Sequence, residues 1–165
     1  MNLYPWIKWL HILTVLIFYF SHGVSMAVAF KLPSEKNPDR LRALLDLSRW
    51  SLTPMSMSLI GTLVFGLVLT FMGPWWKQVW PWLSLVLSLA MSVWMTWQSR
   101  TVYMPIRKAL GLEYMTGVGK ENPAVEPASM DEVHALIARS NPRLLTNAGL
   151  IFTVIILWLM IFKPF

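Results

Sequence analysis

The sequence predicts an all-α polytopic membrane protein, a four-transmembrane-helix up-down-up-down bundle with N and C termini outside. Three observations carry that reading. The 165 residues are 56% hydrophobic and only 13% charged, which leaves too little polar surface for a soluble domain of this length. Four windows hold no charged residue at all: Trp9–Phe30, Trp50–Trp76, Gln78–Ser99 and Leu144–Phe162. Each can cross a hydrocarbon core of about 30 Å at about 1.5 Å per residue. The cations are also sorted by loop. Of 14 Lys and Arg, eleven lie between spans one and two or between spans three and four, and only Lys8, Lys77 and Lys163 remain for the other side. That asymmetry is the positive-inside pattern and puts the two longer loops in the cytoplasm.

Taken in order, the elements form a single transmembrane domain over 1–165. The spans are about 9–30, 53–73, 79–99 and 144–162, and the cytoplasmic loops about 31–52 and 100–143. Span one is too long for a cleavable signal, and no small-residue cleavage site leads into a soluble domain. Tyr4, Trp6 and Trp9 anchor its outer end, and Trp75, Trp76, Trp80 and Trp82 gather around the short outer turn that holds Pro74 and Pro81. In the first inner loop, Asn37-Pro38 reads as a helix cap with proline at the first helical position. Leu41, Leu44, Leu45 and Ser48 follow at helical spacing, so a short amphipathic helix leads toward span two. Pro54 is expected to end or kink it at the membrane edge. In the second inner loop, Ser129 to Glu132 is a capping box, with Met130, Val133, Leu136, Ile137 and Ser140 as the inward stripe of a second amphipathic helix. The stretch from Gly117 to Pro127, rich in Gly and Pro, reads as irregular.

Small residues recur at every fourth position in span three (Ser84, Ser88, Ser92, Thr96) and in span two (Ser58, Thr62, Gly66). Such stripes let backbones approach and let hydroxyls bond across an interface, so spans two and three are expected to pack tightly in the bundle. Asn147 in span four reads as another inward hydrogen-bonding group.

Composition excludes several function classes. The net charge of +6 sits in membrane-flanking loops rather than on a folded basic face, so no nucleic acid is expected as a partner. With no cysteine, disulfides, thiolate metal sites and iron–sulfur clusters are excluded. The spans hold no paired carboxylates, no nucleophile–base pair and no phosphate loop. What they do hold is two histidines. His11 and His22 are eleven residues apart in span one, just over three helical turns, so they share a face and lie roughly 16 Å apart along the axis. An ionisable ring in hydrocarbon must face protein, water, a metal or a cofactor. Small neighbours Ser21, Gly23 and Ser25 leave room for a flat group beside His22. His134 lies in the water-facing loop helix and reads as surface.

Trp9-Leu-His-Ile-Leu13 in span one, Leu52-Thr-Pro-Met with Thr62-Leu-Val-Phe-Gly66-Leu in span two, and the terminal Leu159-Met-Ile-Phe-Lys-Pro164 resemble one group of small bacterial four-helix membrane proteins. It includes the HemJ-type protoporphyrinogen oxidases, relatives of the copper-resistance D protein, and an uncharacterised branch that this chain resembles most. In the oxidase branch the span-one histidine is implicated in binding b-type haem, a role the resemblance maps onto His11. That branch also carries a functional lysine near the outer start of span three, where this chain reads Trp82-Leu-Ser84-Leu-Val86 and lacks it.

The expected function is therefore that of an integral protein of the bacterial inner membrane, haem-b-binding or redox-associated. His11 is the candidate cofactor-binding residue and haem-iron ligand, and His22 a second cofactor-binding residue. The two cannot clasp one iron, because their separation far exceeds the roughly 4 Å spanned by two axial bonds of about 2 Å each. A trans ligand has to come from another helix, with Met91, Met95 and Lys77 as candidates. The alternatives are a non-catalytic accessory subunit of a larger membrane complex or a homo-oligomer, and transport of copper, for which the methionines are suitable ligands, or of a small solute.

Overall fold

The computed structural model describes residues 2–116 and 120–165, so Gly117–Gly119 of the predicted irregular stretch lie outside the described residues. Helix α1 runs Tyr4–Lys31 and passes through a 3-10 turn, Leu32–Ser34, into α2, Pro38–Met72. A second 3-10 turn, Pro74–Lys77, leads to α3, Val79–Gln98. A π-helical turn, Ser99–Tyr103, joins α3 to α4, Met104–Ala109. Strands β1, Tyr114–Thr116, and β2, Lys120–Asn122, pair antiparallel. Helices α5, Met130–Ala138, and α6, Pro142–Phe162, complete the chain. Four helical stretches are long and apolar enough to cross a membrane.

Caps fix where the helices begin. The Asn37 side chain accepts from the Asp39 and Arg40 N–H groups ahead of Pro38, and that of Asn141 accepts from Leu144 N–H ahead of Pro142. Ser129 accepts from Glu132 N–H at 3.3 Å, as the capping box requires. Gly111, at φ 72, ends α4 in the left-handed region that suits glycine, and a Cβ there would lie 2.8 Å from Pro127 Cγ.

The long helices associate as two pairs. α1 packs along α2 and α3 along α6, while α1 meets α6 only lightly and α2 meets α3 less still. This corrects the expectation from the hydroxyl stripes. The α2 stripe faces α1, and the α3 hydroxyls bond within their own helix. Ser84, Ser88, Ser92 and Thr96 each donate to the carbonyl four residues earlier at 2.7–2.8 Å, so none is spent across an interface. Asn147 is a second correction: it is exposed, and its side chain makes no hydrogen bond among the described residues.

The best-buried apolar core lies beyond the spans, at the end that carries most of the cations. Leu32, Leu41, Ile106 and Val133 are wholly buried there, joined by Val28, Leu45, Leu110 and Ile137. The two amphipathic stripes thus face each other across α4. Burial of Leu41 and Leu45 holds the start of α2 in line, and the helix continues through Pro54 instead of ending at it. Neighbouring structure sustains a proline inside a membrane helix in this way.

Arginines staple the cap together. Arg107, 4% exposed, donates to the Glu113 carbonyl, the Leu45 carbonyl and Asp46 Oδ1, each at 2.9 Å. Arg42 Nε donates to the Leu110 carbonyl at 3.0 Å. Arg49 bridges Glu113 at 2.8 Å and Glu121 at 2.7 Å, and these hydrogen bonds, that to Glu113 foremost, push its pKa up. Together they hold α4 and the hairpin onto α2.

Candidate functional site on the histidine face

His11 is held against α2. Its Nδ1 lies 2.9 Å from the Thr62 carbonyl oxygen. A carbonyl only accepts, so Nδ1 carries the hydrogen and, in the neutral ring, Nε2 keeps a free lone pair. Thr14 Oγ1 donates to the His11 carbonyl at 2.9 Å, and Thr62 Oγ1 donates to Thr14 Oγ1 at 3.1 Å. The helices come this close because α2 has glycine where α1 presses on it. A Cβ on Gly66 would sit 3.1 Å from His11 Cε1, and one on Gly61 would sit 2.8 Å from Thr14 Cγ2. The stripe read as a packing seam is therefore the imidazole's seat.

His22 is placed differently. Its ring stacks on Phe18 with centroids 5.8 Å apart and planes 4° apart. Among the described residues its nitrogens have no hydrogen-bond partner. One turn further on, Ser25 Oγ lies 2.8 Å from Ser51 Oγ and accepts from Ser48 Oγ at 3.1 Å, a polar knot between α1 and α2. The two histidines share α1 but not a common centre.

The other candidates lie elsewhere. Met91 and Met95 turn their terminal methyls toward Gly149 of α6, each 3.6 Å from where its Cβ would be, which makes them packing residues of the α3–α6 pair. Lys77 Nζ sits over the Trp76 ring at 5.0 Å, in the aromatic belt. His134 is half-buried rather than fully on the surface. No group of three or more His, Cys, Asp or Glu among the described residues is disposed to hold a metal ion. A haem iron makes a smaller demand, since the porphyrin supplies its equatorial ligands and the protein only axial ones. His11 fits as such a ligand, with its second nitrogen anchored by a carbonyl as metal-bound histidines usually have it. Neither histidine lines the grooves formed around Leu44 and Leu47 or around Trp50 and Pro54.

The fold thus defines an all-helical protein with four helices able to span a membrane and one anchored imidazole between the first two. No family model, curated protein or solved structure matches the chain.

Proposed function

We propose that this is a multi-pass protein of the bacterial inner membrane that binds haem b through His11, in keeping with its resemblance to the HemJ-type group. In this reading the spans alternate up-down-up-down, with the basic loops in the cytoplasm and both termini outside. The observation that supports it best is the bond from His11 Nδ1 to the Thr62 carbonyl over Gly66. It fixes the ring and leaves Nε2 available as an axial donor. Bound haem would supply a one-electron redox centre, while His11 would ligate it, Thr62 would hold the ring orientation and Gly66 would keep the space the ring needs. His22, stacked on Phe18 and roughly 16 Å further along α1, lies outside this site.

The accessory-subunit reading has its own support. The α1–α2 and α3–α6 pairs meet only lightly, which leaves long apolar flanks that a larger membrane complex or a second copy could cover. One spectrum separates the two. Protein purified in mild detergent with haem supplied during expression is expected to show a Soret band and reduced α and β bands. His11→Ala is expected to abolish them with the protein still folded by circular dichroism, and Gly66→Ala to shift or weaken them by moving the ring. A colourless wild type that elutes with a stoichiometric membrane partner would select the subunit reading instead.

A further inference from the structure

A groove runs over the outside of the α1–α2 pair at its basic end. Its outer part, about 300 Å³, is lined by Lys31, Glu35, Arg40, Ala43, Leu44 and Leu47. A second part of about 210 Å³ adjoins it through the shared Leu47 and continues past Val24, Trp50 and Pro54. Volumes of a few hundred Å³ lie at the lower end of the range that small-molecule sites occupy. The chemistry changes along the groove: two cations and one carboxylate sit at the mouth, and nearly everything after them is apolar.

The charges at the mouth are unbalanced. Neither Lys31 nor Arg40 has an ion-pair partner among the described residues, unlike Arg42, Arg49 and Arg107. Glu35 offsets only one of the two, and its Oε1 is turned to the Lys36 N–H at 3.0 Å and the Asn37 N–H at 3.1 Å rather than paired with either cation. Its one negative charge leaves the mouth net positive. The depth is also telling. Trp50 is 80% exposed, and a tryptophan so exposed on a membrane helix belongs at the headgroup boundary. The inner part of the track, from Trp50 to Pro54, therefore enters the hydrocarbon, and the cations stand on its polar side, where long basic side chains reach phosphates.

We propose that this groove seats one anionic phospholipid. The phosphate sits between Lys31 and Arg40, and an acyl chain lies on Leu44 and Leu47 and descends beside Trp50 and Pro54. A cation pair at the mouth of an apolar track complements a headgroup phosphate joined to a hydrocarbon tail, and free phosphate would use only half of it.

The test is native mass spectrometry of the full chain released from bilayer nanodiscs of phosphatidylcholine containing a minor fraction of phosphatidylglycerol. Wild type is expected to retain one phosphatidylglycerol in preference to phosphatidylcholine. Each of Lys31→Ala and Arg40→Ala is expected to reduce that preference about fivefold, from the roughly 1 kcal/mol that one basic residue contributes near an anionic surface. Both side chains are exposed, so the variants should fold. Leu47→Arg, which puts charge into the tail track, is expected to lower retention of either lipid. Lys36→Ala and Arg139→Ala, exposed cations outside the groove, should leave the preference unchanged, and inorganic phosphate should not displace the lipid. The proposal is overturned if the two control variants lose as much as the groove variants, because attraction would then be diffuse. It is equally overturned if free phosphate competes, if Leu47→Arg has no effect, or if the released protein carries a second chain over the groove and no lipid.

Discussion

Arg107 is the side chain on which the basic-end cap depends most. Its guanidinium is 4% exposed and makes three hydrogen bonds at 2.9 Å. Arg107→Ala leaves the Leu45 and Glu113 carbonyls without these partners, at about 1–3 kcal/mol for each carbonyl that stays dry. Asp46 is 57% exposed, so water re-solvates it and it adds little. With both carbonyls dry the losses sum to about 2–6 kcal/mol, and about 3 kcal/mol, the lower end of the range for breaking a buried pair, is taken as the expected cost. Because the cap can open without the spans separating, the assay is amide hydrogen exchange in detergent, followed by mass spectrometry over α4 and the hairpin. Exchange through cap opening should accelerate by about two orders of magnitude, since about 1.4 kcal/mol corresponds to tenfold. Peptides from the middle of α1 and α2 should be unaffected. Arg107→Lys keeps the charge but cannot satisfy three acceptors in a fork, so it should fall between the two. Unchanged protection of α4 in Arg107→Ala would refute the reasoning, because it would mean the buried guanidinium holds nothing together.

Two further outcomes follow from the same geometry. The triple variant Ser84→Ala, Ser88→Ala, Ser92→Ala should unfold within a degree or two of wild type in detergent, because its hydroxyls bond their own helix and such bonds contribute little net stability; a large drop in melting temperature would mean they join helices after all. Glu35 has its carboxyl pKa held below the ordinary glutamate value, chiefly by the Asn37 N–H and then by the Lys36 N–H and the nearby Arg40 and Lys31, against an opposing effect of burial. A depressed folded pKa means that its contribution is fully present above the free-glutamate pKa and is lost as pH falls through the folded one. A carboxyl-carbon NMR titration should therefore show Glu35 protonating below free glutamate, and a midpoint at or above that value would contradict the turn described here.

What the sequence disclosed about the site divides along a physical line. His11 stood out because a polar ring among apolar residues is rare, and Gly66 because small residues repeated at helical spacing. That they meet was not legible, since the partner of His11 is the Thr62 main-chain carbonyl, and a carbonyl leaves no trace in residue type. The same limit hid the pairing of the helices. Periodicity says which face of α2 is small, but not that α1 covers it while α3 turns its serines on itself. The stripes Leu41–Leu45 and Val133–Ile137 were visible one at a time, and their joining across α4 was not. Strands of three residues such as Tyr114–Thr116 are too short for an alternation to register. Of the two outcomes expected at Pro54, an end or a kink, the end does not occur, because α2 continues through it.

The position of the core follows from the solvent on each side of the membrane edge. Inside the hydrocarbon an apolar side chain gains little by leaving lipid for protein, so helices meet only where glycine or hydroxyls permit close approach. That is how α1 and α2 meet at Gly61 and Gly66. Beyond the edge water is present, and burying leucine again stabilises the fold by about 25 cal/mol per Å². Leu32, Leu41, Ile106 and Val133 accordingly reach full burial there, while Phe20, Met57 and Val93 in the spans remain exposed. The consequence is a molecule whose apolar core lies at its basic end, while at the other end the aromatic turn joins the two pairs, with Phe71 edge-on to Trp82 and Lys163 Nζ 4.0 Å from the Trp75 ring centroid. Between the two pairs inside the spans the links are light helix contact and Tyr19 Oη donating to Thr153 Oγ1 at 2.8 Å.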